Sequence, residues 1–178
     1  LHTSNILASR DEMKVIDMEF AFMGPFGYDL GYLVGNLISQ YCAACFKRFP
    51  SEQNRKQFKA YLLATIQSLI ETYMKTFTLC WEKSVKERYR GQQGLLQSIL
   101  QEVMEDVPGY ASMVNWFRSV SEIPYPDFDI IEDKDAKRNA TVLSLMIDWG
   151  IMFGRYKYQS ADDLIETIIG IEEEFRKS

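Results

Sequence analysis

Apolar residues recur with a helical period from Leu30 almost to the end of the chain, and that periodicity limits the possible folds more than any other feature. Leu30, Leu33, Val34, Leu37, Ile38, Tyr41 and Cys45 share one face at three- and four-residue spacing, the pattern of an amphipathic helix with one buried stripe. Pro50 predicts that this helix has ended near Arg48. Ser51 then offers an N-cap, and Phe58, Leu62, Thr65, Ile66, Leu69, Ile70, Tyr73, Met74 and Phe77 continue a stripe for about seven turns.

Beyond Trp81 the signal weakens to a polar helix ending near Arg90 and another around Leu95 to Met104, with Pro108-Gly109 read as a break. Met113 to Val120 reads as a short helix or loop. Ile123-Pro124-Tyr125-Pro126-Asp127 reads as extended, because proline removes donors and biases its predecessors out of the helical region. A long helix from about Asp133 to Tyr156 follows, then a last one capped by Ser160 with Asp163 at the capping-box position. Ahead of all these helices, Asn5–Ala8 and Lys14–Asp17 read as two short strands around the polar segment Ser9–Glu12, and a loop rich in glycine, proline and aromatics runs from Phe20 to Gly27. The expected fold is mainly α: a short β-hairpin leading into a helical bundle.

With 178 residues the chain is one domain of ordinary size or two small ones, and no internal repeat or low-complexity linker divides it. The longest apolar stretch, Thr141 to Gly154, is interrupted by Asp148 and falls short of the ~20 residues that span a bilayer. A net charge of −5 and dispersed cations argue against a nucleic-acid partner. The densest basic stretch, Lys83 to Arg90, is broken by Glu87 and reads as a solvated helix face, as does the acidic run Glu172-Glu173-Glu174. Cys42, Cys45 and Cys80 are an odd number, which points to reduced thiols and a cytoplasmic protein. Cys42-x-x-Cys45 has the spacing of a zinc half-site but lies inside a helix with no second pair, so core thiols are expected.

The polar residues that could carry chemistry crowd the amino end: His2, Thr3, Ser4, Asn5, Asp17, Glu19 and Asp29. A hairpin would bring Asn5 and Asp17 to the same end. Hard divalent cations in phosphoryl transfer take one or two carboxylates, an amide oxygen and substrate phosphates, so this pair has the right donors. The plain alternative is turn chemistry, in which Asn and Asp bond their own backbones.

The text around these residues, Leu1-His2-Thr3-Ser4-Asn5-Ile6-Leu7 and then Asp17-Met18-Glu19-Phe20-Ala21-Phe22-Met23-Gly24-Pro25 with Tyr28-Asp29-Leu30-Gly31, resembles the methylthioribose kinases of the aminoglycoside and choline phosphotransferase class. The resemblance is specific over residues 1 to 38 and architectural beyond. In that class the catalytic loop reads His-Gly-Asp-Leu-His, its Asp being the catalytic base, so the base is expected just upstream of Leu1. The resemblance implies a carboxy-terminal lobe over residues 1–178, with the catalytic and metal-binding loops in 1–27 and a helical subdomain in 28–178. The amino-terminal nucleotide-binding lobe would lie elsewhere, leaving this chain inactive alone.

It further implies Asn5, Asp17 and Glu19 as Mg²⁺ ligands, with Asp17 and Glu19 also serving the bound ATP, Asp29 as a brace of the catalytic loop, and His2 as a packing residue. The reaction implied is transfer of the ATP γ-phosphoryl to a hydroxyl of a sugar-like substrate, methylthioribose or a related sugar of methionine salvage. Implied partners are ATP, that substrate, the amino-terminal lobe and, in a homodimer, a second copy, with no nucleic acid and no membrane.

Departures are visible. Ser4-Asn5 stands where those enzymes usually have Gly-Ser, and Met18 where they have Pro. The Arg-Arg pair that holds their sugar has no counterpart in Met113–Arg118, and Lys137-Arg138 sits in what reads as an exposed helix turn. Trp116 and Arg118 are candidate substrate-pocket residues; the plain alternative is a surface Arg beside a core Trp. Another acceptor of the aminoglycoside or choline type, or a non-catalytic helical module or pseudokinase, are the competing readings.

Overall fold

A computed structural model describes residues 1–19, 21–120 and 126–177. The amino end forms one turn of 3₁₀-helix at Thr3–Asn5 and an antiparallel hairpin of β1 (Ile6–Ala8) and β2 (Met13–Val15), with Ile6 opposite Val15 and Ala8 opposite Met13. Ser9 closes the hairpin: its hydroxyl accepts from the Glu12 amide at 3.0 Å, and its own amide donates to the Glu12 carbonyl at 2.8 Å. Among the described residues six α-helices follow, α1 (Tyr28–Phe46), α2 (Glu52–Ser84), α3 (Gln93–Val120), the single turn α4 (Pro126–Asp129), α5 (Lys134–Gly154) and α6 (Ala161–Phe175). The architecture is the expected hairpin followed by a helical bundle.

Side-chain caps start three of these helices. Ser51 accepts from the Asn54 amide at 3.1 Å, Asp133 accepts from the Ala136 amide at 2.8 Å, and Ser160 and Asp163 form the expected capping box at the head of α6. The central helix is α1, which packs on α2, α3 and α5. Its Val34, Ile38 and Cys42 are fully buried with Ile66 of α2, Val107 of α3 and Ile147 of α5. Cys42 and Cys45 are core thiols, as expected; burial pushes Cys45 up to about 12 and Cys42 well above its ordinary value.

Four expectations are corrected. Pro108-Gly109 does not break the chain: α3 runs unbroken from Gln93 to Val120 with Pro108 inside it. Interior proline costs about 3 kcal/mol by withholding the amide that would bond the Met104 carbonyl. Val103 and Val107, buried to 1% and 0% exposure on the same helix, return about 1.5–3 kcal/mol each, so tertiary packing wins. The polar helix placed between Trp81 and Arg90 is instead the end of α2, at Ser84, followed by a separate 3₁₀ turn at Glu87–Tyr89. Of the run read as extended, residues 123–125 lie outside the described residues, and Pro126-Asp127 opens α4, where a missing amide is harmless.

Glu172 is the fourth correction. It is 5% exposed rather than solvated. Its carboxylate accepts from the Tyr41 hydroxyl, from Lys59, and from Arg176 Nε at 2.7 Å, joining α1, α2 and α6. Burial alone would raise this carboxyl, but the bonds from Lys59, Tyr41 and Arg176 outweigh it and hold Glu172 down to about 2.

Close approach of α1 to α3 sets the remaining geometry. A Cβ on Gly31 would lie 2.8 Å from the Val107 carbonyl oxygen, and one on Gly35 would lie 2.8 Å from that of Ala111. Glycine is required here because two backbones meet. Gly35→Ala is expected to lower stability by about 1–3 kcal/mol, measurable by denaturant unfolding; an unchanged midpoint would show that the helices separate without cost.

A second constraint is polar. The Ser39 hydroxyl donates to Asn115 Oδ1 at 2.8 Å, Asn115 Nδ2 donates to Asp148 Oδ1 at 3.1 Å, and the Ser144 hydroxyl donates to Asp148 Oδ2 at 3.4 Å, linking α1, α3 and α5 in the core. Burial pushes the Asp148 carboxyl up to about 8, against the opposing bonds from Asn115 and Ser144. Because the folded state holds this proton more tightly than the unfolded state, the contribution is complete below the ordinary value of 3.8 and is lost as pH rises through about 8. Asp148→Asn, which keeps the shape without the charge, is expected to flatten that slope and raise Tm at pH 9 by roughly 3 °C or more. Thermal scans from pH 5 to 9 check this; parallel profiles for the two proteins would count against it.

Candidate functional site

The polar corner is assembled by the hairpin and α1 together. Pairing of β1 with β2 continues as the Ile16 amide donates to the Asn5 carbonyl at 3.0 Å, which sets the next residue, Asp17, beside Asn5. The Asn5 amide Nδ2 donates to Asp17 Oδ2 at 3.4 Å across the expected hairpin. Asp17 holds φ at 61°, the left-handed region that side chains other than glycine enter at a cost, Asp and Asn more readily than most. Asn5 is half-buried and Asp17 is exposed, so the pair has a fixed base and an open side.

Glu19 is exposed and makes no hydrogen bond or ion pair among the described residues, so it is not drawn into the Asn5–Asp17 contact. Phe20, next in the motif, lies outside the described residues. No group of three or more His, Cys, Asp or Glu side chains among the described residues could hold a metal ion. An amide oxygen and a carboxylate are donor types that a hard cation takes when waters and phosphate oxygens complete its shell. The Asn5 amide oxygen and the Asp17 carboxylate are the two oxygen donors that fit such an ion.

The segment before Asn5 lies along one face of α1. The His2 ring lies 6.0 Å from the Tyr32 ring, and Asn36 Oδ1 accepts from both the amide and the hydroxyl of Thr3, at 3.4 and 3.2 Å. Loop residues His2 and Thr3 thus meet helix positions 32 and 36, with Asp29 exposed in the first turn of the same helix. Sequence reasoning reached Asp29 and missed Tyr32 and Asn36. The available signal was an amide inside an apolar helical stripe, seven residues after Asp29.

The loop after Glu19 is held from two sides. Tyr73 of α2 donates to the Phe26 carbonyl at 2.8 Å, and the Phe26 ring meets Phe77 edge-on at 5.0 Å. A Cβ on Gly27 would lie 2.4 Å from that of Asp106 in α3, so the chain enters α1 pressed against α3. Phe22 packs edge-on against Tyr28 at 5.2 Å, and Tyr28 packs in the same way on Tyr110 of α3 at 5.1 Å.

The two residues named for a substrate pocket separate in their surroundings. Arg118 is half-buried, with its guanidinium carbon 5.8 Å from the centre of the Tyr32 ring and its charge acting on Asp127 of α4. It therefore reaches the same ring that His2 approaches. Trp116 is 59% exposed, so it is not the core residue of the plain alternative. Lys137 bonds Asp129 at 2.6 Å and Arg138 is exposed, away from the described contacts of the corner.

No family model matches the chain. Among curated proteins it is similar to the methylthioribose kinase of Geobacillus thermodenitrificans, 30% identical over 97% of this chain and 41% of that protein. Methylthioribose kinase 2 of Oryza sativa subsp. japonica is 31% identical over 93% of the chain and 41% of that protein, and the Geobacillus kaustophilus enzyme is 31% identical over 92% and 39%. The chain spans about two fifths of the length of the curated relatives it matches. Similarity to bacterial and plant enzymes across nearly the whole chain, with a hairpin-and-bundle fold that brings the motif residues Asn5 and Asp17 together, identifies the chain as a homologue of the methylthioribose kinases over that part of their length.

Proposed function

We propose that this chain is the carboxy-terminal lobe of an ATP-dependent kinase that phosphorylates a hydroxyl of a sugar-like acceptor, methylthioribose or a related sugar, in the cytoplasm. The observation that carries the reading is the Asn5–Asp17 contact at 3.4 Å, with Asp17 held in a left-handed backbone conformation. An amide oxygen and a carboxylate so placed are the donors a phosphate-bound Mg²⁺ takes from protein. When bound, that ion neutralises charge on the terminal phosphates. Glu19, two residues beyond Asp17 and exposed, is assigned a water-mediated contact or a second carboxylate for the metal and nucleotide.

The other residues position. Asp29 braces the segment that begins at Leu1, and the catalytic base, an Asp, is assigned to the residue before Leu1. Residues 1–27 carry the loops of the site and 28–178 the helical subdomain that supports them. Leu7, Val15, Phe22 and Met23 are 55%, 44%, 63% and fully exposed, so the hairpin and the loop after it leave apolar side chains uncovered, which suits contact with the nucleotide-binding lobe. Without that lobe the chain is expected to be inactive. Arg118, fixed over Tyr32 near His2, is assigned to the acceptor's polar side, with Trp116 at the pocket's rim.

A second acceptor class, of the aminoglycoside or choline type, is favoured by one observation: the segment Met113–Arg118 holds one Arg where the resembled enzymes carry an Arg-Arg pair. An acceptor panel with the full-length protein, MgATP and phosphate-transfer detection decides between the two. Asp17→Ala is expected to lower kcat at least about 100-fold, and chelating the divalent cation to abolish turnover. Arg118→Ala is expected to raise the acceptor KM about tenfold with the ATP KM unchanged, as loss of a charged hydrogen bond would. Parent-level activity in Asp17→Ala would overturn the kinase reading.

A further inference from the structure

We infer that Asn36 is a positioning residue for the metal site, acting through Thr3 on Asn5. The inference rests on the reading of Asn5 and Asp17 as metal ligands. Asn36 is 4% exposed, on the third turn of α1, with its own amide Nδ2 donating to the Tyr32 carbonyl at 3.1 Å. That bond fixes the plane of the side chain and leaves Oδ1 aimed at the loop. Oδ1 then accepts twice from one residue, from the Thr3 amide at 3.4 Å and its hydroxyl at 3.2 Å.

Thr3 opens the 3₁₀ turn that ends at Asn5, and the Asn5 amide donates back to the His2 carbonyl at 3.0 Å. Three residues in one closed turn move as a unit, so pinning Thr3 sets where the Asn5 side chain stands. Asp17 reaches Asn5 from the other side, on a strand end that is exposed. The buried anchor on the Asn5 side is therefore Asn36. A hydrophobic residue at position 36 would pack but leave both Thr3 donors without this acceptor, and the turn would be free to rotate relative to Asp17. A ligand pair held loosely binds its cation more weakly.

The test uses the full-length protein with a non-hydrolysable ATP analogue and Mn²⁺ as the probe, followed by electron paramagnetic resonance. Asn36→Leu is expected to weaken Mn²⁺ affinity about five- to tenfold, the size of one or two lost hydrogen bonds, while the acceptor KM stays within about twofold of the parent. Thr3→Val, which removes only the hydroxyl of an exposed residue, is expected to weaken it about two- to fivefold. The double variant should be no weaker than Asn36→Leu alone, because both changes remove the same contact. A folded Asn36→Leu protein with Mn²⁺ affinity within about twofold of the parent overturns the inference. Should that variant not fold, unchanged affinity in Thr3→Val overturns it equally. Asp17→Ala separates the two levels: if it weakens Mn²⁺ binding while Asn36→Leu and Thr3→Val do not, only the role of Asn36 fails, and if none of the three changes does, the kinase reading fails with it.

Discussion

Backbone contact between α1 and α3 is the constraint on which the rest of this structure depends. Gly27, Gly31 and Gly35 recur every four residues and meet Asp106, then Val107 and Tyr110, then Ala111 along α3. At 100° per residue these glycines form one narrow strip, and Asp29, Tyr32 and Asn36 lie roughly 130° around the same helix. One side of α1 is fixed to the bundle without intervening side chains, and the other is thereby presented at a defined height to the loop carrying Leu1, His2 and Thr3. A bulky residue in the strip would shift the polar face by the thickness of a side chain. Interiors pack too densely to absorb such a shift without cost.

Two polar clusters set the register of the helices around that contact. Ser39, Asn115, Ser144 and Asp148 tie α1, α3 and α5 through bonds that only one sliding position satisfies, and Tyr41, Lys59, Glu172 and Arg176 do the same for α1, α2 and α6. Such networks add less to stability than apolar replacements of the same volume could, because desolvation offsets much of the attraction. What they impose is direction. Removing one partner would leave a buried polar group unsatisfied, or at Glu172 a buried charge unpaired, so the alternatives in which a helix slips by a turn are penalised strongly.

What the sequence revealed and what it concealed divide along the line between local and tertiary causes. The stripes from Leu30 to Cys45 and from Phe58 to Phe77, the caps at Ser51 and Ser160 and the approach of Asn5 to Asp17 all follow from residues near one another in the chain. Pro108 is by its local chemistry a strong breaker; the helix survives because Val103 and Val107 are buried against α1, residues about seventy positions away. Glu172 stands in an acidic run that looks solvated, and only the arrival of Lys59 and Tyr41 from distant helices makes its burial affordable. Asn36 was invisible for a related reason. An amide within an apolar stripe gains meaning only when its partner, Thr3, is known.

The same division explains how the Asn5–Asp17 contact can be well defined. Asn5 and Asp17 lie in short, mostly exposed segments, and an isolated two-stranded hairpin is marginal in water. Ordering them costs conformational entropy that the hairpin's three residue pairs do not recover alone. The deficit is met from outside: Tyr32 and Asn36 hold the segment before Asn5, while Tyr73 and Phe77 hold the loop after Asp17. The helical bundle therefore does more than support the hairpin from below. It clamps the chain on both sides of that pair, and the positive φ of Asp17 persists because the segments flanking it are anchored to different helices.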